Sequence, residues 1–186
     1  MIRLFGLFFL FILLTGCSVK YDDVLLNHHN QLFITKTNTK TTNRINKLSQ
    51  QIQSLSKEIS PKESDKFAYT TTYYAMHLAN NYQLVSPALY HNFLINQKQK
   101  KRGLCYHWVT DILKYLENSN FKTLGIYKVV ANKGLHNEHN AISITAPNHP
   151  FDEGILIDAW RGSGKLFFIP IKEDRYYNWK LRRKIQ

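Results

Sequence analysis

The hydrophobic pattern of the chain changes period once, near Asn118, and that change bounds the fold. Before it, apolar residues recur at spacings of three and four. Ile45, Leu48, Ile52, Leu55 and Ile59 make one narrow apolar seam of barely two heptads. A self-standing coiled coil needs more, so this helix is expected to dock on its own domain. Ser60-Pro61-Lys62-Glu63 joins an N-cap serine, a proline at the first helical position and a glutamate three residues after the cap, which predicts a helix over 61–80. Ser86-Pro87 repeats the cap-plus-proline signal and predicts a helix over 87–97 with Leu89, Phe93 and Leu94 inward. Gly103 then breaks the chain before a helix over 105–117, whose Val109, Ile112, Leu113 and Leu116 have helical spacing. After Asn118 the apolar runs are short, β-branched or aromatic, and separated by Gly, Asn and Pro, giving strands at 124–130, 141–145, 155–159 and 166–171. Helices first and a strand meander afterwards define an α+β domain with a mainly antiparallel sheet. At 186 residues and 44% hydrophobic the chain supports one such domain, with a real core.

The N-terminus has a different logic. Met1-Ile2-Arg3 precedes an unbroken apolar run from Leu4 to Leu14, followed by Thr15-Gly16-Cys17. That is a charged start, a short hydrophobic segment and a small-residue cleavage site, and the run is too short for a permanent span of a bilayer core roughly 30 Å thick. Leu14-Thr15-Gly16-Cys17 resembles the lipobox of bacterial lipoproteins, which implies that Cys17 is lipidated and becomes the mature N-terminus. An uncleaved anchor would also end on a membrane, so the expected location is the cell envelope, with the lipid anchor as the membrane contact. By the same resemblance Ser18, rather than an aspartate, favours the periplasmic face of the outer membrane in a Gram-negative organism. Residues 18–42 are rich in Thr, Asn, Lys and His, too polar to fold alone, and read as a tether. The expected division is therefore a signal peptide over 1–17, a tether plus amphipathic helix over 18–60, and a folded domain over 61–186.

With Cys17 consumed by the anchor, Cys105 has no intramolecular partner. Exported proteins usually pair their thiols or lack them. A free thiol is then either a nucleophile or a small buried hydrophobe. The charge balance of 25 Lys+Arg against 13 Asp+Glu, a formal +12, favours anionic partners. A membrane tether makes nucleic acid the least accessible of these, and none is expected as a partner.

Cys105 opens a helix, where unpaired N–H groups and the helix dipole favour a thiolate, and Gly103 would allow close backbone approach. His139 lies at the entry of the strand over 141–145, and Asp158 near the exit of the next. If the two strands pair antiparallel, these residues become neighbours. Asp158 could orient the imidazole or cap the turn that follows it. Cys105, His107, His136 and His139 are all zinc-type ligands, but structural zinc sites usually pair cysteines on a tight turn. Neither a metal nor a cofactor is expected.

Gly103-Leu104-Cys105-Tyr106, His139 and Asp158, with spacings of 34 and 19 residues, resemble the transglutaminase-like branch of the papain-like cysteine enzymes over about residues 61–171. That family commonly carries an alanine shortly after the cysteine, where Val109 and Thr110 stand here. The resemblance implies a papain-like core and a Cys105–His139–Asp158 triad that attacks amide or ester carbonyls. Asn92 is a candidate second oxyanion donor beside the Cys105 N–H. The expected function is an envelope-anchored cysteine hydrolase or acyltransferase acting on a peptide or protein substrate, wall peptide included. The alternative is a non-catalytic binding module whose basic surface takes anionic wall or lipid components.

Overall fold

The computed structural model describes residues 16–186. The expected signal segment and the first residues of the expected lipobox, Leu14 and Thr15, lie outside the described residues. The protein is α+β. Helix α1 is Thr39–Gln53, α2 Pro61–Asn81, α3 Ala88–Asn96 and α4 Cys105–Leu116. Strands β5 (Gly125–Ala131), β6 (His139–Thr145), β7 (Ile155–Asp158) and β8 (Phe167–Pro170) follow as a meander, and β9 (Lys180–Lys184) closes the sheet. The order is β8-β7-β6-β5-β9, antiparallel throughout.

Helices α1, α2 and α4 bury their apolar stripes against one face of this sheet, where Leu48, Ile52, Phe67, Trp108 and Ile112 meet Ile126, Ile142, Ile144 and Ile157. A second cluster covers the opposite face, built from Val129, Ala131, Ala141, Leu156, Ile171 and Trp179. Both faces of β6 are therefore dry, and all seven of its residues are buried. This explains its lack of polar alternation.

Several sequence expectations change in detail. Residues 18–42 are not a free tether. Strand β1 (Cys17–Ser18) pairs with β4 (Val85–Ser86), and β2 (Val24–Leu26) forms a hairpin with β3 (Leu32–Ile34) that seats Val24 in the core. Tyr21 and Asn80 exchange two hydrogen bonds, Tyr21 N–H donating to Asn80 Oδ1 at 2.8 Å and Asn80 Nδ2 to the Tyr21 carbonyl at 2.9 Å. Composition shows only that this segment cannot fold alone; laid on an existing surface, a few apolar side chains suffice. Helix α1 accordingly begins inside the expected tether, capped by Asn38 Oδ1 accepting from the Lys40 amide at 2.9 Å.

The capping box at Ser60 does not form. The Glu63 carboxylate instead accepts from the amides of Lys122 and Thr123 and from the Thr123 hydroxyl, tying the start of α2 to the strand meander. In α3 only Leu94 of the three expected inward residues is buried; Leu89 is 71% exposed and Phe93 49%. The buried face of α3 is Ala88, His91 and Leu94, because a histidine takes the central core position.

Candidate active site

The start of α4 is fixed from beneath. His91 is fully buried; its Nδ1 accepts from the Val85 amide at 3.2 Å and its Nε2 hydrogen-bonds the Arg102 carbonyl at 2.8 Å, so Nε2 carries the proton. Gly103 lies against that ring with φ +130°, and a Cβ there would come within 2.4 Å of His91 Nε2. The glycine therefore serves close packing on an imidazole, rather than the substrate approach inferred for it from sequence. The Trp108 indole donates to the Gly103 carbonyl at 2.8 Å, and His107 Nδ1 accepts from the amides of Gly103 and Leu104. The bonds of His91, His107 and Trp108 to residues 102–104 set the turn that presents Cys105. The first amides of α4, including that of Cys105, have no intrahelical acceptor and point toward the same side as the dipole's positive end.

His139 enters from β6. Its Nε2 bonds Asp158 Oδ2 at 2.6 Å, with both side chains almost completely buried. Ile142 pairs with Ile157, and continuing that register puts Asp158 opposite Ala141, on the same sheet face as His139 and one pleat away. Asp158 performs both roles open to it from sequence: Oδ1 accepts from the amides of Trp160 and Arg161, while Oδ2 meets His139 and Arg161 Nε. The Arg161 guanidinium reaches on to Asp174, which also accepts from Trp179 Nε1. The rings of Trp160, Tyr177 and Trp179 close around the imidazole at centroid distances of 4.8, 4.7 and 5.4 Å.

With Nε2 held by Asp158, Nδ1 is the nitrogen left for the thiol. Burial works against a charged His139, but its hydrogen bonds to Asp158 and Cys105 and their charges outweigh this, and its pKa is raised to about 9. Burial likewise opposes a Cys105 thiolate, yet the His139 hydrogen bond and charge, with a smaller contribution from Asn140, bring the thiol below its ordinary value. Asp158 is also lowered: its burial cost is outweighed by His139 and Arg161. All three shifts act in the direction of a thiolate–imidazolium pair with an ionised aspartate behind it.

Two neighbours complete the thiol's surroundings. Asn140 Nδ2 lies 3.9 Å from Cys105 Sγ, and the thiol lies 3.6 Å from the Glu138 carbonyl. The Glu138 side chain accepts from the Gly134 amide, Arg182 and Asn140, which takes its pKa down to about 2.

The structure thus brings Cys105, His139 and Asp158 together. Asn92 Oδ1 accepts from Trp160 Nε1 at 3.1 Å, steadying the ring beside His139. The side-chain amide at the thiol is that of Asn140, a residue strand alternation alone could have found, since it follows His139 and must face the helix layer. Arg161, Asp174, Tyr177 and Trp179 carry no comparable signal. Cys17 is exposed and opposite Ser86. Among the described residues no group of three or more His, Cys, Asp or Glu side chains is disposed to hold a metal ion, and no helix is long and apolar enough to cross a membrane. Compared with protein-family models, with curated proteins and with solved structures, the chain matches none.

Proposed function

We propose that the protein is a cysteine-dependent acyl-transfer enzyme of papain-like, transglutaminase-like architecture, acting on amide or peptide bonds while anchored to the cell envelope through Cys17. The observation that carries this reading is the pairing of a helix-opening thiol with an imidazole whose far nitrogen is held by Asp158 at 2.6 Å.

Each step follows from the groups present. The Cys105 thiolate attacks the substrate carbonyl carbon, and the carbonyl π electrons move to oxygen, where the Cys105 N–H at the helix start meets the new charge. Collapse of that intermediate expels the amine, which takes its proton from the His139 imidazolium and leaves a thioester on Sγ. His139, now neutral, removes a proton from water or from an acceptor amine as it attacks the thioester; the thiolate departs and the ion pair is restored. Asp158 holds the ring in the tautomer that directs Nδ1 at sulfur and stabilises its charged form. Asn140 is well placed to keep the thiolate and imidazolium in register.

The test is p-nitrophenyl acetate with the purified protein. The expected result is a burst of nitrophenolate stoichiometric with enzyme and an acetyl group on Cys105 by mass spectrometry, absent in Cys105→Ala and at least about a hundredfold slower in His139→Ala. Nitrophenolate release at the same rate in wild type and Cys105→Ala would overturn the reading.

A further inference from the structure

Beyond the thiol, one side of α4 and the β5–β9 edge of the sheet enclose a hollow of about 590 Å³ lined by Thr110, Leu113, Lys114, Glu117, Lys128, Arg182 and Arg183. Its floor is cationic for structural reasons. Lys128 projects from β5 on the face covered by α4, the face shared with Ile126 and Val130, and is only half exposed. Arg183 pairs with Lys128 across the β5–β9 ladder. No hydrogen bond or ion pair ties the Lys128 ammonium to another described residue, whereas Arg182 is bound to Glu138. Burial, then the charges of Arg182 and Arg183, hold Lys128 below its ordinary pKa, partly offset by Cys105 and Glu138. A half-buried ammonium crowded by two guanidiniums and bonded to no carboxylate favours an added anion, although Glu117 on the hollow's wall opposes one.

This hollow is also wired to the thiol. Arg182 Nη1 donates to Asn140 Oδ1 at 3.2 Å, and Asn140 Nδ2 faces Cys105 Sγ. Thr110 and Lys114 lie five and nine residues after Cys105 on α4. At about 1.5 Å of rise per residue they stand about 7 to 14 Å from the helix start. An extended peptide advances about 3.3 Å per residue, so this spans about two to four residues from a bond held at the thiol.

We propose that the Lys114–Lys128–Arg183 hollow is a carboxylate-binding subsite, and that the peptide acted on carries an acidic group two to four residues from the bond that is cleaved or transferred. This deepens the acyl-transfer reading and rests on it for the word substrate; the binding site itself does not. A peptide carboxylate fits better than a lipid phosphate because Lys128 is half-buried between α4 and the sheet rather than fully exposed.

Two measurements on the full chain test this separately from the chemistry. The first is the ratio of Cys105 alkylation rates with iodoacetate and iodoacetamide, anionic and neutral reagents of nearly equal size. Lys128→Gln and Arg183→Gln should each lower the iodoacetate-to-iodoacetamide rate ratio about twofold, and added salt should erase the difference. The second is calorimetric titration of Cys105→Ala with an acetylated, amidated alanine peptide carrying one glutamate, and with its glutamine counterpart. Binding of the glutamate peptide should be at least tenfold tighter, and Lys128→Gln should abolish that margin. Equal binding of the two peptides overturns the subsite, whatever Cys105 does. Discrimination between them with an unreactive Cys105 upholds the subsite and overturns the acyl-transfer reading alone. Inorganic phosphate displacing the glutamate peptide at equal concentration would assign the hollow to phosphate and overturn the peptide assignment.

Discussion

Asp158 and Asp174 never touch, yet one guanidinium holds both: Arg161 Nε bonds Asp158 Oδ2 at 2.6 Å and Nη2 bonds Asp174 Oδ2 at 2.6 Å. The side chains of both aspartates are about 1% exposed. Two buried carboxylates share one cation, and Asp158 meets the His139 ring as well. The orientation of the imidazole therefore depends on a residue of the final loop, since Asp174 fixes Arg161, Arg161 steadies Asp158, and Asp158 holds the ring.

Removing Arg161 leaves two buried carboxylates short of a partner. Arg161→Ala is expected to lower unfolding free energy by about 3 to 5 kcal/mol, measured by the urea midpoint. Arg161→Lys should recover less than half, because an ammonium cannot form the Nε and Nη bonds together. Full recovery with lysine would show that charge alone, and not the fork geometry, is needed.

The pH dependence follows from the directions of the shifts. His139 is raised from 6.5 to about 9, so its contribution to stability is complete below about 6.5 and is lost as pH rises through about 9. Asp158 is lowered from 3.8, so its contribution is complete above that value and is lost as pH falls. These two groups make the thermal midpoint fall above about 6.5 and below 3.8, and the buried neutral His91, lowered from 6.5 chiefly by burial, adds a further loss as pH falls below 6.5. Iodoacetamide should alkylate Cys105 rapidly well below the free-thiol range of roughly 8.5, and His139→Ala should move the rate curve to higher pH. A wild-type curve with an ordinary thiol midpoint would contradict the ion pair.

Gly103→Ala meets both a positive φ and the His91 ring. It is expected to cost about 1 to 3 kcal/mol and to slow Cys105 alkylation, because the turn that presents the thiol must shift. Unchanged stability and alkylation would show that the turn is not held this way.

Glu63→Gln removes the charge that binds Lys122 and Thr123. Burial raises the Glu63 pKa, but the amides of Lys122 and Thr123 and the Thr123 hydroxyl outweigh it, and the carboxyl lies below its ordinary 4.5. Its contribution is thus present above about 4.5 and is lost as pH falls. The expected loss on substitution is about 1 kcal/mol at neutral pH, shrinking toward zero in acid; a loss that persists in acid would assign the effect to shape rather than charge.

Much of this architecture was legible in local pattern. The helical periods, the strand meander and the register logic that joins His139 to Asp158 depend on neighbours in sequence. The rest depends on distant surfaces. Strand β9 carries Lys-Leu-Arg-Arg-Lys, every residue exposed, and becomes a strand only because β5 offers it an open edge. Glu63 reads as a cap because nothing local reveals Thr123. Leu89 and Phe93 read as core because α3 is apolar nearly all round, and His91 won the interior through two backbone groups that sequence spacing does not disclose.

Were Cys17 lipidated as proposed, its pairing with Ser86 would set the reach of the molecule. The next residue of β4, Val85, is held by His91, the same ring that grips Arg102 before the thiol. A leash would let the domain sweep a hemisphere. An acyl group on Cys17 would instead fasten the body itself to the lipid plane, so that its search runs in two dimensions and its thiol serves only bonds that pass at one fixed height above the bilayer.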